Sequence, residues 1–237
     1  MSDLIYEGKA KKVFKGLEPH QYVLYFKDDA TAFNAQKKDV IESKGILNQK
    51  IASQVFQYLE NHEVQTHFIK SLSDREMLVE AVHIIPVEVI VRNITAGSLC
   101  KRLGIEENIK LDKPLIEFCL KSDALGDPIM MEEHIYIMNL ATHEEIQHIR
   151  HEALKINTLL QKLFDDLGIT LADFKLEFGK TQAGKIVLAD EITPDGCRLW
   201  DQATGKILDK DRFRKDLGGL AEAYQEVLTR MTEKALA

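Results

Sequence analysis

The chain has 237 residues, 45% hydrophobic and 29% charged, a composition that allows one large domain or two small lobes around a sizeable core. A formal net charge of -7 argues against a general nucleic-acid coat, no apolar run approaches the ~20 residues of a membrane span, and "MSDLIYEGKA" lacks the apolar stretch of a secretory signal. Three widely spaced cysteines, Cys100, Cys119 and Cys197, fit neither a disulfide framework nor a metal knuckle, so the expectation is free thiols and a cytoplasmic location.

"YEGKAKKVF" predicts two short strands joined around Gly8, and "QYVLYFK" (21 to 27) predicts another. The next stretch, 28 to 40, has no clean period and reads as a long loop. Leu47, Ile51, Val55 and Leu59 recur at helical spacing and predict a helix from about 43 to 61. A hairpin around Ser73-Asp74 follows, then a β-branched strand over 84 to 95 whose Pro86 demands an edge or a bulge. Thr142 and Glu145 form a capping box for a helix whose apolar stripe, Ile146 to Leu167, stops at Gly168. "LADFKLEF" and "KIVLADEI" predict a second hairpin across Gly179 to Gly184, and the chain closes with helix interrupted at Gly218-Gly219. The order predicts an α+β fold: a small N-terminal antiparallel-sheet lobe, residues 1 to 82, and a larger C-terminal α+β lobe, residues 83 to 237, with a sheet and packed helices.

Alternation in the second hairpin places Asp173, Lys175 and Glu177 on one face and Phe174, Leu176 and Phe178 on the other. Pairing Lys180 with Lys185 sets Glu177 opposite Leu188 and Lys175 opposite Asp190, making Asp190 a diagonal neighbour of Glu177. Two such carboxylates can hold Mg²⁺ together with substrate phosphates; a solvated face with a salt-bridged Lys175 is the plainer alternative. A one-residue shift would substitute Glu191, which alternation otherwise points away from Asp190 toward a structural partner.

Gly8 lets the backbone approach a ligand, and Lys9 and Lys11 project to one side of an extended segment, where they can neutralise a polyphosphate. Neither a Walker sequence nor G-x-G-x-x-G is present, so a nucleotide here would be held by a strand and glycine loop as in kinases. In "VRNITAGSLCKR", Arg92 and Ser98 suit a phosphate monoester or carboxylate where a strand turns into a helix, while Lys101 and Arg102 read as solvated helix residues. Glu145, His148, His151 and Glu152 lack the second Glu-x-x-His helix of a di-iron site and read as an exposed helix face.

Taken together, "YEGKAKKVF", "PVEVIVRNITAGSL", "DFKLEFG", "LADEITPDGCRLWD" and "DKDRFRKDLGG" resemble the phosphoribosylaminoimidazole-succinocarboxamide synthase (SAICAR synthetase) family over essentially the whole chain. The resemblance implies a ligase that uses ATP and Mg²⁺ to join L-aspartate to the ribonucleotide CAIR, giving SAICAR, ADP and phosphate, through an acyl phosphate in the mechanism usually proposed. It implies ATP contacts from Gly8, Lys9, Ala10, Lys11 and Val13, from Glu80, Val82 and Ile84 where the lobes join, and from Lys121 at the ribose. Glu177 and Asp190 match the Mg²⁺ positions; Arg92, Ser98, Arg198 and Arg214 match those around the ribonucleotide phosphate; Asp173 and Lys175 face the reacting carboxylate, with Lys175 stabilising charge. Asn34, where relatives often carry Asp, lies in a segment implied to contact CAIR, and Lys44 falls near the substrate carboxylates. A homodimer is implied by the same analogy.

Two rival readings are a regulatory protein with a kinase-like nucleotide pocket and a small-metabolite kinase. The first predicts loss of one or more of Lys11, Glu177, Asp190 and Arg198, all of which are present; the second needs an H-R-D-type catalytic loop, which is absent.

Overall fold

Strand alternation and helical stripes resolve into two large antiparallel sheets, each covered on one face by helix, and one two-stranded sheet, in a computed structural model that describes residues 3–33 and 36–235. The first part of the chain contains β1 (Leu4–Glu7), β2 (Lys11–Lys15), β3 (Gln21–Phe26), β4 (Asp29–Ala32), β5 (Lys37–Val40), α1 (Lys44–Glu60), β6 (Phe68–Ser71) and β7 (Glu76–Glu80). Its five-stranded sheet has the order β1-β2-β3-β7-β6, with α1 against β3, β6 and β7. There follow β8 (His83–Ile94), α2 (Ser98–Leu103), β9 (Lys110–Leu120), a single 3₁₀ turn (Asp123–Leu125), β10 (Ile129–Met130), α3 (Glu132–Ile137), α4 (His143–Asp165), β11 (Ile169–Lys180), β12 (Ile186–Ala189), β13 (Cys197–Asp201), α5 (Asp211–Arg214) and α6 (Leu220–Ala235). The second sheet runs β10-β9-β8-β11-β12, and β13 pairs with the first half of β11.

The expected α+β architecture is present, with two corrections. Residues 28 to 40 form the β4–β5 hairpin instead of a loop, Asp29 facing Val40 and Ala32 facing Lys37. Ala30 and Ala32 are its buried positions, and alanine's weak strand preference hides the two-residue period. In the second hairpin Lys180 faces Ile186 and Glu177 faces Ala189, one residue away from the expected register. The cause is the turn: the Thr181 and Lys185 backbones close a three-residue loop, and Gly184 takes the left-handed position (φ 79°) that this turn requires.

Pro86 sits in a strand paired on both sides, and the β8–β11 register shifts opposite it, so the expected bulge is there. The Thr142–Glu145 capping box closes reciprocally, Glu145 N donating to Thr142 Oγ1 at 3.2 Å and Thr142 N to Glu145 Oε2 at 2.9 Å. From it α4 lays Ile146, Ile149, Ala153, Ile156 and Leu160 on the inner face of β8 and β11, where Val87, Val89, Val91, Phe174, Leu176 and Phe178 are buried. That packing leaves the opposite face of the same two strands free for charge. The sheets are stitched by a bridge between Thr66 and Leu188, with His67 N donating to Leu188 O at 2.8 Å, and α6 packs on α1.

Ile156 is fully buried at the centre of this packing. Ile156→Ala is expected to lower unfolding free energy by about 2–5 kcal/mol, measured as a shifted urea midpoint at unchanged slope; a shift worth under ~1 kcal/mol would mean that α4 does not hold the sheet.

Candidate active site

The polar face of the second sheet is set by cross-strand pairing: Glu88 opposite Glu177, Ile90 opposite Lys175 and Arg92 opposite Asp173. Like charges directly opposite would repel, and Lys175 relieves them. Its Nζ bonds Glu177, lies 3.1 Å from Glu88 Oε1 and 3.3 Å from Asp190 Oδ2, while Lys121 Nζ donates to Glu177 Oε1 at 2.8 Å. Asp190 takes a left-handed backbone (φ 57°), which breaks strand alternation. Both Asp190 and Glu191 therefore turn to Lys11, whose Nζ bonds Asp190 and lies 2.5 Å from Glu191 Oε2. This corrects the expectation that Glu191 points away.

At the other end of the sheet Asp173 is shared by two arginines, accepting from Arg92 Nη1 at 2.9 Å and from Arg198 Nη1 at 2.9 and 3.1 Å. Arg92 also donates to Glu117 and, through Nη2, to Ser98 Oγ at 3.0 Å; Arg198 Nε donates to Asp211 at 3.0 Å. Gly97, at φ 57°, has no room for a side chain, because a Cβ there would overlap the Arg198 guanidinium. Asp173 is thus bonded to the arginines that it orients.

Two adjoining cavities cover this face. One of about 440 Å³ is lined by Gly8, Lys9, Ala10, Lys11, Val13, Glu80, Val82, Ile84, Lys121, Glu177 and Asp190, with apolar Leu24 and Val79. The other, about 700 Å³, is lined by Arg92, Ser98, Asp173, Lys175, Arg198 and Arg214. Lys9, Ala10, Glu88, Asp127, Lys175, Asp190 and Glu191 line both. Two candidates fall elsewhere. Asn34 lies outside the described residues, and Lys44 is fully buried beneath the site, bonded to Asp195, which lines the larger cavity.

A sequence model of the SAICAR synthetase family matches residues 4–231. The chain belongs to the SAICAR synthetase family. The phosphoribosylaminoimidazole-succinocarboxamide synthase of Caldanaerobacter subterraneus subsp. tengcongensis is 55% identical over 231 residues, 98% of each chain. The solved structure of that synthase from Ehrlichia chaffeensis superposes with a TM-score of 0.95 at 46% identity, covering 97% of this chain and 98% of that one. A type-2 SAICAR synthetase in complex with ADP superposes with a TM-score of 0.93 at 45% identity, covering 96% and 97%.

The sequence patterns of this SAICAR synthetase family member did not reveal every charged group in the cleft. Glu88 was legible in principle, two and four residues from Ile90 and Arg92 on one strand face. Burial raises its pKa, with Lys175 opposing and Glu177 adding to the effect. Burial would lower the Lys175 ammonium, but Glu177, Asp190 and Glu88 hold its pKa well above the ordinary value, so it is a fixed cation at neutral pH. Asp190, despite burial, is held well below the carboxylate range by Lys11 and Lys175. Asp195, read from sequence only as a turn residue, accepts from Lys44, Asn48 and Tyr224; against burial, Lys44, Lys210 and Tyr224 hold its pKa down.

No sequence pattern marks His67. It is buried in the smaller cavity's wall, its Nε2 donating to Asp190 O at 3.1 Å, and burial followed by repulsion from Lys11 lowers its pKa to about 4. A depressed imidazole stabilises the fold above its ordinary pKa near 6.5 and loses that contribution as pH falls through 4. The stability difference between the wild type and His67→Gln is therefore expected to shrink by about 3 kcal/mol between pH 6.5 and pH 4. Denaturant midpoints across that range measure it; a difference independent of pH would contradict the assignment.

Proposed function

We propose that the two cavities form one active site in which the smaller holds ATP and the larger holds CAIR and L-aspartate. As a SAICAR synthetase family member, the chain is an ATP-dependent ligase that joins L-aspartate to CAIR in purine biosynthesis, giving SAICAR, ADP and phosphate. The observation that carries the division is the shared wall, where a lysine and carboxylate cluster separates a partly apolar cavity from one rich in arginine. Within it, the boundary near residue 82 divides an N-terminal ATP lobe from a C-terminal substrate lobe, a reading supported by the change of sheet between β7 and β8.

Val13, Val82 and Ile84 give adenine an apolar seat, Glu80 and Lys121 lie toward the ribose and base, and Gly8, Lys9, Ala10 and Lys11 cover the phosphates. Arg92, Ser98, Arg198 and Arg214 receive the ribonucleotide phosphate, with Asp173 orienting two of the arginines. Asn34 and Lys44 remain proposed contributors to the CAIR side, Lys44 acting through Asp195.

The donor set fits Mg²⁺. Glu177 and Asp190 already share one cation, Lys175 Nζ, and supply hard oxygen donors, while no group of three or more metal-type ligands occurs among the described residues. Two carboxylates completed by phosphate oxygens are a magnesium arrangement. When bound, Mg²⁺ would neutralise charge on the transferring phosphoryl group. A CAIR carboxylate oxygen attacks the γ-phosphorus as its bond to the β-phosphate oxygen breaks, ADP leaves, and an acyl phosphate remains. The aspartate amine then attacks the acyl carbon, the bond to the phosphate oxygen breaks, and the nitrogen loses its proton. Lys175 stays charged throughout and stabilises the developing oxyanion; positioning accounts for the rest. The three buried free cysteines support a reducing, cytoplasmic setting, and homodimerisation rests on family analogy.

Glu177→Gln and Asp190→Asn are each expected to lower kcat/KM about a hundredfold or more and to raise the Mg²⁺ concentration needed for half-maximal rate. Initial rates across a Mg²⁺ series test this, and survival of both activity and Mg²⁺ dependence would remove the two carboxylates from the metal site.

A further inference from the structure

Of the cations lining the larger cavity, all but two are engaged in ion pairs. Arg92 and Arg198 are held by Asp173, Arg214 and Lys215 by Asp211, Lys175 by its three carboxylates and Lys9 by Asp123. The exceptions among the described residues are Lys101, exposed on α2, and Lys210, half-buried, for whose Nζ there is no hydrogen-bond acceptor and no carboxylate within 4.0 Å.

Lys210 is held from both sides. Its backbone N–H donates to Pro194 O at 3.1 Å and its carbonyl accepts from Phe213 and Arg214. The preceding Asp209 is fixed by the Leu199 and Asp211 amides at 2.8 and 2.7 Å, and the following Asp211 is gripped by Arg198 and Arg214. With its backbone held and its stem half-buried, this unpaired ammonium is kept at the cavity wall, unlike that of a fully exposed lysine. Burial lowers its pKa, opposed by Asp195, while Lys44 and Arg214 lower it further. An incoming carboxylate would offset that desolvation with its opposite charge.

The proposed reaction brings three anionic substrates to the site, and the arginines, Lys11, Lys175 and the metal account for CAIR and ATP. Aspartate brings two carboxylates that none of these groups receives. We infer that Lys210 is a binding residue for a carboxylate of the L-aspartate substrate, seated between α5 and the Pro194–Gly196 turn. This inference rests on the ligase reading of the same cavity.

Initial-rate kinetics with each substrate varied in turn test it on the full-length wild type, Lys210→Met and Lys210→Arg. Losing one charge-assisted contact is expected to raise KM for aspartate about ten- to a hundredfold in Lys210→Met, with KM for ATP and CAIR changed less than about threefold. The inhibition constant of succinate, which has both carboxylates but no amine, should rise in parallel, and Lys210→Arg should recover part of both. Should the Met variant be insoluble, Lys210→Gln reads the same constants. A larger rise in KM for CAIR would move Lys210 to the ribonucleotide, and an unshifted aspartate KM would remove it from the substrate site. A wild type without aspartate-dependent product would overturn the ligase reading itself.

Discussion

Burying like charges together is the constraint on which the site depends. Glu88, Glu177, Asp190 and Glu191 converge where the two cavities meet, and among the described residues only Lys11, Lys121 and Lys175 pair with them. Four carboxylates against three ammonium groups are a formal excess of one negative charge, and burial raises the pKa of Glu88 and Glu191 in a place where an added cation would ease the crowding. Under the proposed function, Glu177 and Asp190 would hold Mg²⁺ in place of lysine once a triphosphate is bound, which would leave Lys11 and Lys175 free to meet phosphate.

The fold keeps that cluster rigid by dividing β8 and β11 between their two faces. Packing against α4 fixes the strands, so their other face presents Glu88, Arg92, Asp173, Lys175 and Glu177 at set spacings. Beneath the larger cavity, Asp195 gathers Lys44 and Asn48 from α1 and Tyr224 from α6. Removing one partner from such a buried group costs about 3–5 kcal/mol, so the turn carrying Gly196 is tied to two helices as well as to its own strands.

Much of this was legible in the sequence, because alternation is a local property. Asp173, Lys175 and Glu177 share a face whichever partner they meet, and the α4 stripe and its cap are written in adjacent residues. The hairpin register was not, since it turns on whether the loop holds three or four residues, and Gly184 suits either. Nor could alternation see the left-handed Asp190, which brings Glu191 into the cleft. Lys44 misleads for another reason: lysine is almost never fully buried unless paired, and its partner Asp195 is 151 residues away. Glu88 needed only the alternation already applied to β11, carried across to β8.

The central claim is that one cleft couples ATP cleavage to amide formation. Release of ADP, followed with ATP, Mg²⁺, CAIR and L-aspartate present and with each omitted in turn, tests it most directly. The account predicts that ADP forms at the full rate only with all four, in step with the succinocarboxamide product. ADP formation indifferent to aspartate, with no such product, would contradict it.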